Sequence, residues 1–170
     1  MNDSLVRGVV WKVSALMSVI GAGALFIMMM ILVVDSFLRN VLNKPVLGSL
    51  EVVEITLVFV VFFGLPESLK KGEQIIVDVA DELFNRSIVS VLVVAGNVAM
   101  FLLLALLAWF MFEPAYDSFR FKDVKPEVGL PLYWLWIAIY IGVLVSLAVV
   151  AIRIKDGLSS HAASGAHHVR

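Results

Sequence analysis

Residues Val13–Val34 read VSALMSVIGAGALFIMMMILVV, 22 positions without an Asp, Glu, Lys or Arg. At about 1.5 Å of rise per helical residue the run extends roughly 33 Å, enough to cross the ~30 Å hydrocarbon core of a bilayer. Arg7 and Lys12 precede it, as the charged segment of a secretory signal would. The run is too long for a signal core, however, and leads into Asp35-Ser36-Phe37 without a small-residue cleavage site. It reads as a retained membrane span, and the chain as an all-α integral membrane protein.

Three further spans follow. Ile88–Phe112 and Val128–Ile152 each supply 25 uncharged residues, long enough to cross with some tilt. The remaining apolar stretch, Ile55–Pro66, has only 12 and spans only if Glu54 and Glu51 stand at its entrance, so the second span is placed at 50–69. The four spans make one membrane domain over residues 1–156. The small, polar tail of residues 157–170 is expected to be disordered.

Composition narrows the function classes. With 61% hydrophobic and 16% charged residues the chain carries more apolar surface than a globular domain of 170 residues can bury. A net charge of -1, with no basic run to follow a phosphate backbone, argues against nucleic-acid binding. The absence of cysteine removes disulfides, iron–sulfur ligation and thiolate metal sites. The histidines, His161, His167 and His168, all lie in the tail, so haem held between helices is excluded by position and no metal or other cofactor is assigned. No phosphate loop, nucleophile elbow, metalloprotease helix or paired catalytic carboxylates occur, and the chain reads as a non-enzyme.

Lys and Arg divide eight to five between the side holding the termini and middle loop (Arg7, Lys12, Lys70, Lys71, Arg86, Arg153, Lys155, Arg170) and the other side (Arg39, Lys44, Arg120, Lys122, Lys125). The bias puts both termini in the cytoplasm. Trp109, Tyr133, Trp134 and Trp136 then share the outer membrane interface, and Trp11 marks the inner one. In the middle loop Ile75, Ile76, Val79, Leu83 and Phe84 form one arc of a wheel opposite Asp78, Asp81, Glu82 and Asn85. Residues 75–86 therefore predict a short amphipathic helix, on the membrane surface or packed on other protein.

Few polar side chains fall inside the spans. Asn97, in the third, has the role of bonding across to another helix. Ser14, Ser18 and Ala22 recur every four residues on the first span beside Gly21 and Gly23, a small-residue face for close helix packing. Glu54, one turn into the second span with Glu51 on the same face, is either a carboxylate at headgroup level or a partner of a basic group. Arg39, just beyond the first span, is positioned to reach one or both carboxylates, in a clasp within the chain or a contact to another subunit.

Several short motifs occur in order on this four-span frame. Arg39 is followed by Pro45, Gly48-Ser49, Glu51 and Glu54 before the second span; Gly72 leads into Ile75, Ile76, Val77 and Asp78 after it; and Leu130-Pro131-Leu132-Tyr133-Trp134 opens the fourth. In these the chain resembles the small, Q-type membrane subunit of tripartite ATP-independent periplasmic (TRAP) transporters. Gln74 stands where that family often has His. The resemblance implies a multi-pass protein of the bacterial inner membrane, in contact with membrane lipids. It also implies two partners: a large polytopic subunit carrying sodium and substrate sites in an elevator-type transport domain, and a periplasmic substrate-binding protein. The small subunit would enlarge the static part of the transporter and help dock the binding protein, for uptake of organic acids such as dicarboxylates or sialic acid. The competing readings are a self-sufficient proton-coupled exporter, for which Glu54 is the candidate carboxylate, and a membrane anchor for a redox enzyme.

Overall fold

The computed structural model describes the backbone of residues 2–44, 46–83 and 86–165, and the side chains of residues 5–44, 46–71 and 92–156. Its helices are α1 (Asn2–Leu42), α2 (Ser49–Leu83), α3 (Arg86–Phe110), α4 (Phe112–Phe121) and α5 (Tyr133–Gly165). Four stretches are long and apolar enough to cross a membrane: Leu5–Leu42, Ser49–Lys71, Leu92–Phe121 and Tyr133–Asp156. Among the described residues there is no strand beyond an isolated antiparallel bridge between Val124 and Pro131.

The span in α5 is the inner one. It packs against every other helix, and 44% of its apolar window is buried, against at most 11% in the other three. Its covered face runs through Leu135, Ala138, Ile139, Gly142, Val143, Ser146, Val149 and Val150, the three-and-four spacing of a helix buried along one side. Helix α1 contributes a narrower seam. Ser14, Met17, Gly21 and Asp35 are buried, with Val10, Ala24, Met28, Ile31 and Leu38 partly covered. These positions alternate by four and three, the repeat of left-handed helix pairing. A strict four-residue stripe drifts away from such a seam because four residues exceed one turn. Ser14 thus lies on the seam and Ser18 at its edge, whereas Ala22, expected on the packing face, is exposed.

Two close approaches fix the α1/α2/α5 unit. A Cβ on Gly21 would stand 3.4 Å from the Phe59 carbonyl oxygen and 3.5 Å from the Gly64 nitrogen. A Cβ on Gly142 would lie 2.8 Å from Phe62 Cβ and 2.9 Å from its carbonyl carbon, and closer still to the oxygen. Met17, Phe63 and Ala138 form the buried core between these crossings, flanked by Phe59, Phe62 and Val145. The Phe59 and Phe63 rings meet edge-on at 5.1 Å, an arrangement favoured by the ring quadrupoles.

The helix bounds correct several expectations. Pro66, the last residue of the uncharged stretch Ile55–Pro66, is buried in the interior of α2, which continues to Leu83. Residues 75–83 are therefore helical as an extension of the second span, not as a separate element. The side chains of Ile75, Ile76, Val79 and Leu83, and Phe84 entirely, lie outside the described residues, so the surface placement of that arc does too. The helix of the third span is interrupted at Met111, where Pro114 can give no N–H to the Phe110 carbonyl, and resumes as α4 through the charged residues Glu113, Asp117 and Arg120. The fourth begins at Tyr133, five residues later than its apolar composition suggests, because Lys122 and Gly129 adopt positive φ and the chain turns back on itself between them. Helix α5 continues to Gly165, into the stretch whose composition predicts disorder; the side chains there lie outside the described residues.

Candidate functional site

The α1–α2 connection and the α4–α5 connection meet at one end of the bundle, here termed the hairpin end. Asp35, on the α1 seam one turn before Arg39, directs its two carboxylate oxygens to different tasks. Oδ2 accepts from Arg39 Nη2 at 2.8 Å and Oδ1 accepts from the Val46 backbone N–H at 2.8 Å. The chain leaves α1 through Asn43, at φ 49°, a left-handed helix end that Asn tolerates. It enters α2 through Gly48, whose φ of 79° suits a residue without a side chain.

Facing this turn is a hairpin over residues 122–132. The Lys125 N–H donates to the Leu130 carbonyl at 3.0 Å, the Leu132 N–H to the Asp123 carbonyl at 2.9 Å, and the Gly129 N–H to the Lys125 carbonyl at 2.7 Å. The first two turns of α2 bind it through two carboxylates. Glu51 Oε2 accepts from the backbone N–H groups of Glu127 and Val128 at 3.0 and 2.9 Å. Glu54 is ion-paired with Lys125. Bonds from N–H to an ionised carboxylate are stronger than neutral ones, so Glu51 supplies the directional part of the join.

The three residues singled out from the sequence are thus all engaged, but not with one another. Arg39 is held by Asp35, four residues back on its own helix, and does not reach Glu51 or Glu54. A partner one turn away needs no loop to close, and this local pairing wins. Lys125, Asp35 and the 127–128 amides were not anticipated. The Gly129-Leu130-Pro131 run, counted into a span, was the available sign of a turn.

The wall beside the hairpin is aromatic. Trp136 Nε1 donates to Ser118 Oγ at 2.9 Å, tying α5 to α4, and the Phe119 and Tyr133 rings meet edge-on at 6.3 Å. Trp134 stacks at a tilt beside Tyr133. Phe112, Tyr116, Phe119, Tyr133, Trp136 and Tyr140 line an open apolar groove of about 580 Å³. Trp109 belongs to a deeper level. The Tyr140 hydroxyl donates to the Ala108 carbonyl at 3.2 Å, so Trp109 is level with Tyr140, about two turns or roughly 10 Å below Tyr133. Asn97 is partly buried on α3.

Towards the opposite, basal end α1, α2 and α5 are tied to one another. Glu67, buried on α2, accepts from Ser14 Oγ at 2.9 Å and lies 3.3 Å from Lys70 Nζ and 3.5 Å from Lys71 Nζ. Arg153 Nη2 donates to the Lys70 carbonyl at 3.3 Å, and Arg7 is paired with Asp156. Trp11 has Arg7 and Lys70 over its ring at 5.6 and 5.2 Å. Glu67 was missed in the sequence because Lys70 and Lys71 read as the exit of the span. Among the described residues no group of three or more His, Asp or Glu is arranged to hold a metal ion.

Both ends are tied by charge. Comparison with curated proteins and with solved structures gives no match. The family model for the DctQ component of tripartite ATP-independent periplasmic transporters matches residues 28–159, well over half the chain and including both connections of the hairpin end. The chain belongs to that family, the small membrane component of TRAP transporters.

Proposed function

We propose that this subunit is a static scaffold within a TRAP transporter, working with a large polytopic membrane subunit that carries the transport domain and with a periplasmic substrate-binding protein. The complex takes up organic acids of the dicarboxylate or sialic-acid type, driven by a sodium gradient. The observation that carries the scaffold reading is the contact at Gly142, where a Cβ would meet the Phe62 main chain and α5 is seated directly on α2, with Gly21 of α1 in van der Waals range of the α2 backbone. Sites that move substrate in secondary transporters are commonly built on broken helices near mid-membrane. Here the polar clusters that stand out lie at the two ends.

In this reading the protein resides in a bacterial inner membrane with both termini cytoplasmic. The hairpin end is periplasmic, where Arg39, Glu51 and Glu54 shape the surface offered to the partners. The decisive experiment is reconstitution. Tagged subunit should co-purify with a large polytopic partner, and uptake into proteoliposomes should require both of these and the binding protein. Transport by this chain alone would reject the scaffold role and favour a self-sufficient exporter, for which the candidate carboxylates, Glu54 and Glu67, are both ion-paired.

A further inference from the structure

The apolar groove between α4 and α5 is a slot that no side chain of this subunit fills. Its lining on α5 runs from Tyr133 to Leu144, about 16 Å at ~1.5 Å per residue. It starts next to the hairpin, where the Phe119 and Tyr133 rings meet edge-on, and the stacked rings of Phe112 and Tyr116, 6.4 Å apart, line it on the α4 side. Ala115, between Phe112 and Phe119 on the lining face of α4, contributes only a methyl group. Trp136 and Tyr140 spend their polar hydrogens elsewhere: the indole N–H on Ser118 and the hydroxyl on the Ala108 carbonyl. An occupant therefore meets hydrocarbon and ring surface, with no donor held out to it by either residue.

The geometry points to a binding site for one acyl chain of a membrane phospholipid, lying along α5 with its headgroup at the hairpin end. Size argues against a partner helix: a helical cylinder about 16 Å long and ~10 Å across takes up about 1,300 Å³, against a groove of about 580 Å³. A polar solute would give up its hydration there without return. Leaving bulk lipid brings a chain no hydrophobic gain, since both surroundings are apolar. What it gains is dispersion contact with fixed aromatic walls, which an empty slot forfeits. Recognition thus rests on the chain and its length, not on headgroup charge. The inference needs the protein to span a membrane and is independent of the scaffold reading.

The test titrates the full chain, in a neutral detergent, with long-chain phosphatidylcholine, long-chain phosphatidylglycerol or a short-chain phosphatidylcholine, and counts retained lipid by native mass spectrometry. The two long-chain lipids should be retained alike and the short-chain one released. Ala115→Phe, which puts a ring into the slot, should lower retention by about tenfold, while Val19→Phe, on an exposed face of α1, leaves it unchanged. Circular dichroism checks folding, and Ile141→Trp, at an exposed position lining the slot, serves if Ala115→Phe is not folded. Retention that ignores chain length, a preference set by the headgroup, or equal retention in the slot variants and Val19→Phe would each overturn the site. A dimer that Ala115→Phe dissociates would hand the slot to a second copy and overturn it too.

Discussion

Gly142 of α5 rests against the main chain of Phe62 on α2, with the Phe62 carbonyl oxygen occupying the space where a side chain would begin. That carbonyl is also the one deprived of its usual helical donor, since residue 66 is proline and has no N–H. The proline and the glycine, 76 positions apart in the chain, thus act on the same peptide group: one exposes it and the other approaches it.

Gly142→Ala should therefore be costly although alanine is the better helix former. The methyl group meets backbone rather than a mobile side chain, and overpacking of this kind costs about 1–3 kcal/mol. Gly23→Ala, on the same bundle with nothing within 4 Å of the added Cβ, should be neutral or slightly stabilising. Thermal unfolding of the two variants in detergent measures the difference; equal melting temperatures would show that α5 does not sit this close to α2.

Ser14 offers a comparable contrast within α1. Its hydroxyl is buried and donates to Glu67, so Ser14→Ala should destabilise by about 1–2 kcal/mol. Ser18→Ala, at the edge of the seam, should remain within about 0.5 kcal/mol.

At the hairpin end the observed pairing replaces the one expected from the sequence. A double-mutant cycle between Glu54→Gln and Lys125→Gln should show coupling of up to about 1 kcal/mol, the range for an exposed pair. The cycle between Glu54→Gln and Arg39→Ala should show none. Coupling in the second cycle and not in the first would restore the Arg39 clasp.

Asp35 and Arg39 are unequal partners. The Asp35 side chain is 10% exposed and also holds the Val46 amide, whereas Arg39 is 64% exposed. Asp35→Ala leaves a backbone donor and the guanidinium without their acceptor and should cost about 2 kcal/mol or more, against about 1 kcal/mol or less for Arg39→Ala. Chemical denaturation of the two single variants separates them.

Membrane orientation is testable at positions that the fold leaves open. Cysteine at Asp123, exposed on the hairpin, should react with an impermeant thiol reagent in intact cells, and cysteine at Lys12 should not. Ser118, polar and near a span end, is a poor labelling position because it is buried against Trp136. The reverse pattern would invert the topology.

These contrasts mark where the sequence was readable. Long uncharged runs declare spans because a bilayer imposes one length and one hydropathy on every crossing, and three of the four were visible in this way; the second, with 12 uncharged residues, needed Glu51 and Glu54 set at its entrance. Three-dimensional pairing has no such signature. Nothing local to Glu51 indicates that its partners are the amides of Glu127 and Val128, and Arg39 had an acceptor one turn away that the longer-range pairing obscured. The α1 seam was found at Ser14 and lost by Ala22 because a four-residue repeat outruns the helical turn by about 40° at each step. Pro66 looked terminal because the charges after it ended the apolar run, although the helix itself went on.

The central position of α5 bears on how the chain is made. Of the four spans it leaves the ribosome last, yet α3 leans chiefly on it and has little contact with α2. The α1–α2 pair can close as soon as it is inserted, whereas α3 and α4 must wait in the lipid without their main neighbour. Nascent chains halted before Tyr133 would therefore hold a finished pair beside an unclaimed helix, the species a membrane quality-control protease is best placed to find.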